Sequence, residues 1–287
     1  QLLGATAGAY RGLMRLGQAE QRSHLLDDNL SGPALGRATQ RAHERRRAAA
    51  VTPWIILTFT FVLVVMVMIA IGREIETDMV FPIIVGILTA FSPTQVLQST
   101  NLTNPSGVAI FSALSVYFAL RYLRTGRHIF IFLYPLFISL AINTHLQAVG
   151  LIWLFFVPLF LRHPTLRQCF LAFLGFGIPF LSLVPFELKS GFYDVRNMIR
   201  YIQYDQYTIY MPNRWLTYLG VFWPDAWTRI AGGFLPVSYI TLALLGVFSL
   251  VFGLKRRLSK AHILVLGTFI LMLIQLRYFR GTKFDGY

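Results

Sequence analysis

Three polar stretches interrupt otherwise apolar sequence with side chains able to bind a ligand or move a proton. The first, SPTQVLQSTNLTNPSG at residues 92–107, carries Gln95, Gln98, Ser99, Thr100, Asn101, Thr103 and Asn104 and no charge. Amides and hydroxyls at this density can hydrogen-bond a sugar or a lipid headgroup, and Asn101 and Asn104 are the binding candidates. The same run serves equally as a polar turn capping two helices, and Asn101-Leu102-Thr103 also spells a glycosylation acceptor. The second, AINTHLQAVG at 141–150, sets Asn143, Thr144, His145 and Gln147 at a tight hairpin. Thr144, His145 and Gln147 are candidates there: His145 can donate to a phosphate or carry a proton, or simply be wet at a membrane surface. The third, LRYFRGTKFDGY, gathers Arg277, Arg280 and Lys283. Cations so placed suit a phosphate or diphosphate leaving group, or else a solvated helix end.

A general base for an acceptor hydroxyl is expected among the carboxylates on the outer side or in parts of the protein beyond this sequence. Asp27 and Asp28 in HLLDDNLSG form an adjacent pair and are the catalytic candidates, with a turn or helix cap as their plainer use. Cys169 is the only cysteine, and the six histidines show no HExxH or comparable spacing. Disulfide and zinc chemistry are therefore not expected, no cofactor is implied, and dependence on a divalent metal stays open.

These residues need elements to hold them. The 287 residues are 55% hydrophobic and only 13% charged, against about 25% charged in a typical soluble domain. PWIILTFTFVLVVMVMIAIG, residues 53–72, contains no charge and matches the roughly 20 helical residues that cross a hydrocarbon core. Eight apolar segments are read, at 53–72, 79–95, 106–123, 128–143, 146–161, 168–187, 235–254 and 262–279. The first, sixth and seventh are full-length and the others shorter or tilted. Pro53, Pro82, Pro93, Pro135, Pro158, Pro179 and Pro185 mark ends or kinks. The expected fold is all-α, a polytopic transmembrane helix bundle with about eight spans and interfacial helices on its outer face. The chain is an integral, multi-pass protein of the plasma or inner membrane on this reading, and a piece of a longer one.

If the segments alternate, loops 73–78, 121–128, 162–167 and 255–261 share one side and carry ten Lys and Arg. The opposite short loops, 96–105 and 143–145, carry none, so the first set is expected in the cytoplasm. The organisation then reads as an extracytoplasmic, basic helical segment 1–52, transmembrane helices 53–187, an aromatic-rich outer loop 188–234, and further transmembrane helices 235–287. RATQRAHERRR in the first of these runs against the charge rule; it meets outer phosphates or marks a different parity before residue 53. Ser31 and Pro33 suit the start of a helix over 33–50. Tyr and Trp concentrate at 188–234, as at a membrane interface. With a net charge of +14, the partners expected of such a chain are membrane lipid and phosphate-bearing substrates; nucleic acid is not expected.

FSPTQVLQSTNLTNPSGVAIFSALSVYFALRYL resembles the third and fourth helices of the GT-C superfamily of membrane glycosyltransferases, among relatives of the protein mannosyltransferases and aminoarabinose transferases. AINTHLQAVGLIWLFFVPLFL is similar to that family's next hairpin, with His145 and Gln147 where the family has a lysine. LRYFRGTKFDGY looks like its late helix. The resemblance spans roughly residues 51–287. It implies inverting transfer of a sugar from a polyprenyl-phosphate donor to a hydroxyl of a glycan, lipid or protein acceptor on the outer side. A carboxylate of the first outer loop would deprotonate the acceptor, a role carried over to Asp28, while Arg280 and Lys283 would meet the departing phosphate. A lipid-linked oligosaccharide polymerase or ligase, a transporter or flippase, and a non-enzymatic scaffold are the competing readings.

Overall fold

Each of the eight apolar runs forms helix over most of its length, and the hydroxyls within them, such as those of Thr58, Thr60 and Ser115, bond back to carbonyls of their own helix. The computed structural model describes residues 33–100, 104–205, 214–231, 233–255 and 258–278. All regular elements among them are helical. In chain order they are α1 (Pro33–Ile75), α2 (Val80–Ala90), α3 (Pro93–Thr100), α4 (Val108–Thr125), α5 (His128–Thr144), α6 (Ile152–Arg162), α7 (Leu166–Gly177), α8 (Val184–Ser190), α9 (Tyr193–Gln203), α10 (Arg214–Thr217), α11 (Trp223–Ala231), α12 (Leu235–Leu254) and α13 (Lys260–Tyr278). The chain divides into two units, 1–53 and 54–287. The first contributes the opening residues of α1, and every contact below lies within the second.

Length separates these helices. Val51–Ile75 of α1 is apolar over 25 residues, about 37 Å at 1.5 Å per residue, and is long and apolar enough to cross a membrane. Helices α2 and α6 have 11 residues each, only about 16 Å. Two bent pairs lengthen the count: Leu166–Ser182 with Val184–Ser190 at 53°, and Trp215–Ile230 with Leu235–Val251 at 100°. Taken as single spans they give up to three long apolar elements among the described residues, beside four shorter apolar helices, Val80–Ala90, His128–Thr144, Ala148–Arg162 and Lys260–Gln275. The short lengths have local causes. Pro93 starts a new helix after Phe91 and Ser92, so the run 79–95 is cut. His145 adopts an extended backbone and ends α5, and the next residues form a 3₁₀ turn, Leu146–Leu151, before α6 begins. Pro53, Pro135 and Pro158 lie inside helices instead of ending them.

Helix α5 is the centre of the packing, flanked by α4 and α7. Ile131, Tyr134, Ile138 and Ala141 on α5 are fully buried, as are Ala119 and Tyr122 of α4 and Ala172 of α7. Close approach depends on small residues, as in membrane helix pairs. A Cβ at Gly175 would fall 2.2 Å from the Phe132 carbonyl oxygen. Gly72 and Gly86 do the same for the α1–α2 hairpin, against Pro82 and Ile69. Tyr134 solves its burial by donating to the Phe155 carbonyl of α6 at 3.1 Å.

The aromatic-rich stretch 188–234, expected as an outer loop with interfacial helices, is mostly helix where it is described. A π turn, Tyr218–Phe222, joins α10 to α11. Helix α11 folds onto α12 through Trp227 Nε1 donating to Thr241 Oγ1 at 2.8 Å and a Thr228–Ser238 hydroxyl pair at 2.7 Å. Large apolar side chains stay exposed on the helix faces, including Phe59, Ile87, Phe170, Val247 and Phe248.

Candidate functional site

The helix ends sort into two groups. At one, the basic loops touch each other. Glu74 accepts from Arg121 at 3.0 Å and from Arg124 at 3.3 Å, joining the 73–78 and 121–128 loops. Arg162 donates to the Leu123 carbonyl at 2.5 Å and lies over the Tyr122 ring, joining in the 162–167 loop. His262, beside the 255–261 loop, sits 3.5 Å from Glu76. Three of the four loops that alternation assigns to one side thus touch one another, and His262, just past the fourth, reaches Glu76 of the first. The hydrogen bond to Glu74 raises the Arg121 pKa above its ordinary value, against the opposing effect of burial.

The polar stretches meet at the other ends of the same helices. Thr144, the last residue of α5, lies against the 3₁₀ turn Asn104–Gly107: a Cβ at Gly107 would be 3.3 Å from Thr144 Cγ2. The Thr144 hydroxyl donates to the Leu140 carbonyl at 2.8 Å, which leaves its lone pairs as acceptors. His145 is half-buried; its N–H closes α5 on Ala141 O at 3.0 Å and its carbonyl accepts from Ala148 N at 2.9 Å. Its backbone is therefore fixed on both sides. The Leu146–Leu151 turn packs on α13, where a Cβ at Gly150 would be 3.1 Å from Met272 Cγ. Arg277 follows Met272 by little more than one turn on α13.

Arg277 is 8% exposed, and its guanidinium lies 4.4 Å from the centroid of the Trp215 ring. A cation on a ring face keeps its charge with less hydration lost to no purpose. Trp215 meets Tyr218 edge-on, and buried Tyr218 donates to the Leu273 carbonyl of α13 at 2.6 Å. Tyr218 in turn stacks on Phe222 at 5.6 Å. The first polar stretch joins from α3, where Thr94 Oγ1 donates to the Arg229 carbonyl of α11 at 3.1 Å. Two polar atoms on α13, Thr268 Oγ1 and Gln275 Oε1, are buried and make no hydrogen bond with the described residues. A shallow groove runs from apolar Leu57, Phe61 and Val64 of α1 to polar Gln95, Ser99 and Ser106.

The chain matches no family model, no curated protein and no solved structure.

Thr144, His145 and Arg277 are thus candidates that the fold sets at one end. Asp27, Asp28, Asn101, Arg280 and Lys283 lie outside the described residues, as do the side chains of Asn104 and Gln147. Of the described carboxylates expected on the outer side, Asp225 pairs with Arg229 at 2.6 Å and Asp205 with Arg200 at 3.3 Å. Glu187 Oε2 is buried and makes no hydrogen bond with the described residues. Trp215 and Tyr218 are the residues that spacing alone did not single out. The concentration of Tyr and Trp at 188–234 was the signal available, and it names a segment without naming the ring beneath the cation.

Proposed function

We propose that this chain is a multi-pass membrane glycosyltransferase of the GT-C kind, with its apolar segments in the bilayer. It moves a sugar from a polyprenyl-phosphate donor to a hydroxyl acceptor at the extracytoplasmic end. One observation carries the reading: polar stretches far apart in sequence converge at one end of the helices, opposite the end where the basic loops converge. The exposed apolar faces of α1, α7 and α12 support lipid as their solvent, since a soluble protein rarely exposes apolar patches of this extent.

In this reading Arg277 stabilises negative charge developing on the departing phosphate, from a buried position where a cation acts at low effective dielectric. Thr144 and His145 orient donor or acceptor through hydrogen bonds. The base comes from Asp27 or Asp28. The test is transfer of label from a radiolabelled polyprenyl-phosphate sugar by purified full-length protein, with membrane extracts supplying acceptors. Label in a new product, reduced by Arg277→Gln, is expected. A folded protein that labels nothing in any extract defeats the reading. Reporter fusions at Arg124 and Arg256 are expected to report the same side, and opposite sides would undo the parity on which it stands.

A second reading has one observation in its favour. The 53° bend within Leu166–Ser190 is the kind of interrupted helix that transporters place at a binding site. Movement of a fluorescent lipid across reconstituted bilayers without any chemical transfer would select it.

A further inference from the structure

Two of the basic loops are joined into one surface by side chains that donate to backbone carbonyls. Gln168 Nε2 donates to the Gly126 carbonyl at 3.2 Å, next to the Arg162–Leu123 bond already described. The cations on that surface are not equivalent. Arg121 is engaged by Glu74, and Arg162 by a carbonyl and a ring. Arg124 shares Glu74 but leaves 66% of its side chain exposed. Arg127 and Arg167 are exposed chain neighbours of the hydrogen-bonded pair Gly126 and Gln168. Their guanidinium groups form no ion pair or hydrogen bond among the described residues.

Loop cations on the inner side of a membrane protein are ordinary, and alone they specify nothing. The surface directly beside them is less ordinary. Leu166, Phe170 and Phe173 are 88%, 66% and 62% exposed, and they recur at i, i+4 and i+7 down one face of α7 from a start beside Arg167. A free anion would pair the guanidinium groups and leave this stripe bare. A neutral lipid would cover the stripe and leave the charges unmatched. One molecule with an anionic head and hydrocarbon chains satisfies both.

We propose that Arg127 and Arg167, with Arg124 at the rim, hold the headgroup phosphate of an anionic phospholipid whose acyl chains lie along Leu166, Phe170 and Phe173. The site rests on the membrane-embedded part of the functional reading and is independent of the transfer chemistry. Each cation near an anionic headgroup contributes roughly a fivefold preference.

The test uses full-length protein in discs of phosphatidylcholine with phosphatidylglycerol added, and native mass spectrometry of the lipid retained. Wild type is expected to keep phosphatidylglycerol in preference by about tenfold or more, following the per-cation factor. Arg127→Gln/Arg167→Gln brings that preference close to parity. Arg196→Gln/Arg200→Gln, which removes the same charge from α9, leaves it intact. Arg127→Lys/Arg167→Lys retains most of it and guards against a variant that fails to fold. A preference that survives the first pair, falls equally in the α9 pair, or is abolished by inorganic phosphate overturns the site. A protein monodisperse without detergent would sink the membrane reading itself, whereas lost preference in a detergent-requiring protein sinks this site alone.

Discussion

At one end of these helices, cations are fixed on a carboxylate and on carbonyls; at the other, a cation lies on a ring and hydroxyls face half-buried space. Glu74, Arg121 and Arg162 find their partners within the chain, and the Thr165–Gln168 capping box closes the start of α7 beside them. The opposite end keeps polar groups too: Thr144 retains acceptor lone pairs, and Gln275 buries an oxygen that bonds no described residue, as Arg121 Nε and the Tyr122 hydroxyl do at the basic end. Burying such groups costs stability at either end, so the two ends differ in what holds their cations. On the proposed function, the basic end with the core beneath it serves as scaffold, and the aromatic end as workplace.

That contrast predicts a gradient of folding cost. The steepest loss belongs to Gly175→Val, since no Cβ fits beside the Phe132 carbonyl and both partners are backbone held in helices. Separating α5 from α7 is expected to cost about 3 kcal/mol, read as a lowered unfolding temperature in detergent. Gly126→Ala comes next. Gly126 ends α4 at φ 69°, a left-handed conformation, and a Cβ there would collide with the Arg162 guanidinium. About 2 kcal/mol is expected from the strain and the displaced arginine, and a smaller loss when Arg162→Ala is made in the same chain.

Glu74→Gln should follow at about 1 kcal/mol, a modest figure because the Arg124 partner is largely solvated. Glu74 itself is only 7% exposed. The gap to wild type is therefore expected to persist when unfolding is repeated at high salt, which screens exposed pairs far more than buried ones. Disappearance of the gap would reduce this end to an ordinary solvated charge cluster.

The sequence made parts of this legible and concealed others. Runs such as 53–72 and 235–254 announce helices because apolar length without charge leaves the backbone no other partner than itself. The convergence of the 73–78, 121–128 and 162–167 loops follows from alternation alone, since antiparallel neighbours with short connections must return to the same side. Where helices break was legible in part: the polar hairpin at 143–145 marks the end of α5 at Thr144, but nothing in the apolar run after it announces the 3₁₀ turn Leu146–Leu151 that delays α6 to Ile152. The pairing of Arg277 with Trp215 is harder still. It depends on a π turn that rotates α10 toward α13, and composition reports only that rings are plentiful nearby.

The smallest folding effect belongs to Trp215→Leu, and it separates the two ends most sharply. The ring is 46% exposed, so little apolar burial is lost, and removing the ring face from Arg277 costs about 0.5–1 kcal/mol. Tyr218, which anchors the same turn to the Leu273 carbonyl, is untouched, so α10 and the π turn keep their place. The guanidinium, however, loses the ring face it rests on in a buried setting. Transfer of labelled sugar should therefore fall by tenfold or more, roughly the factor that about 1.4 kcal/mol of misplaced charge stabilisation would give. Circular dichroism melts and the transfer assay on the same preparation give the two numbers to compare. A Trp215→Leu protein as destabilised as Gly126→Ala, with transfer reduced only in proportion to the folded fraction, would make the aromatic end scaffold as well.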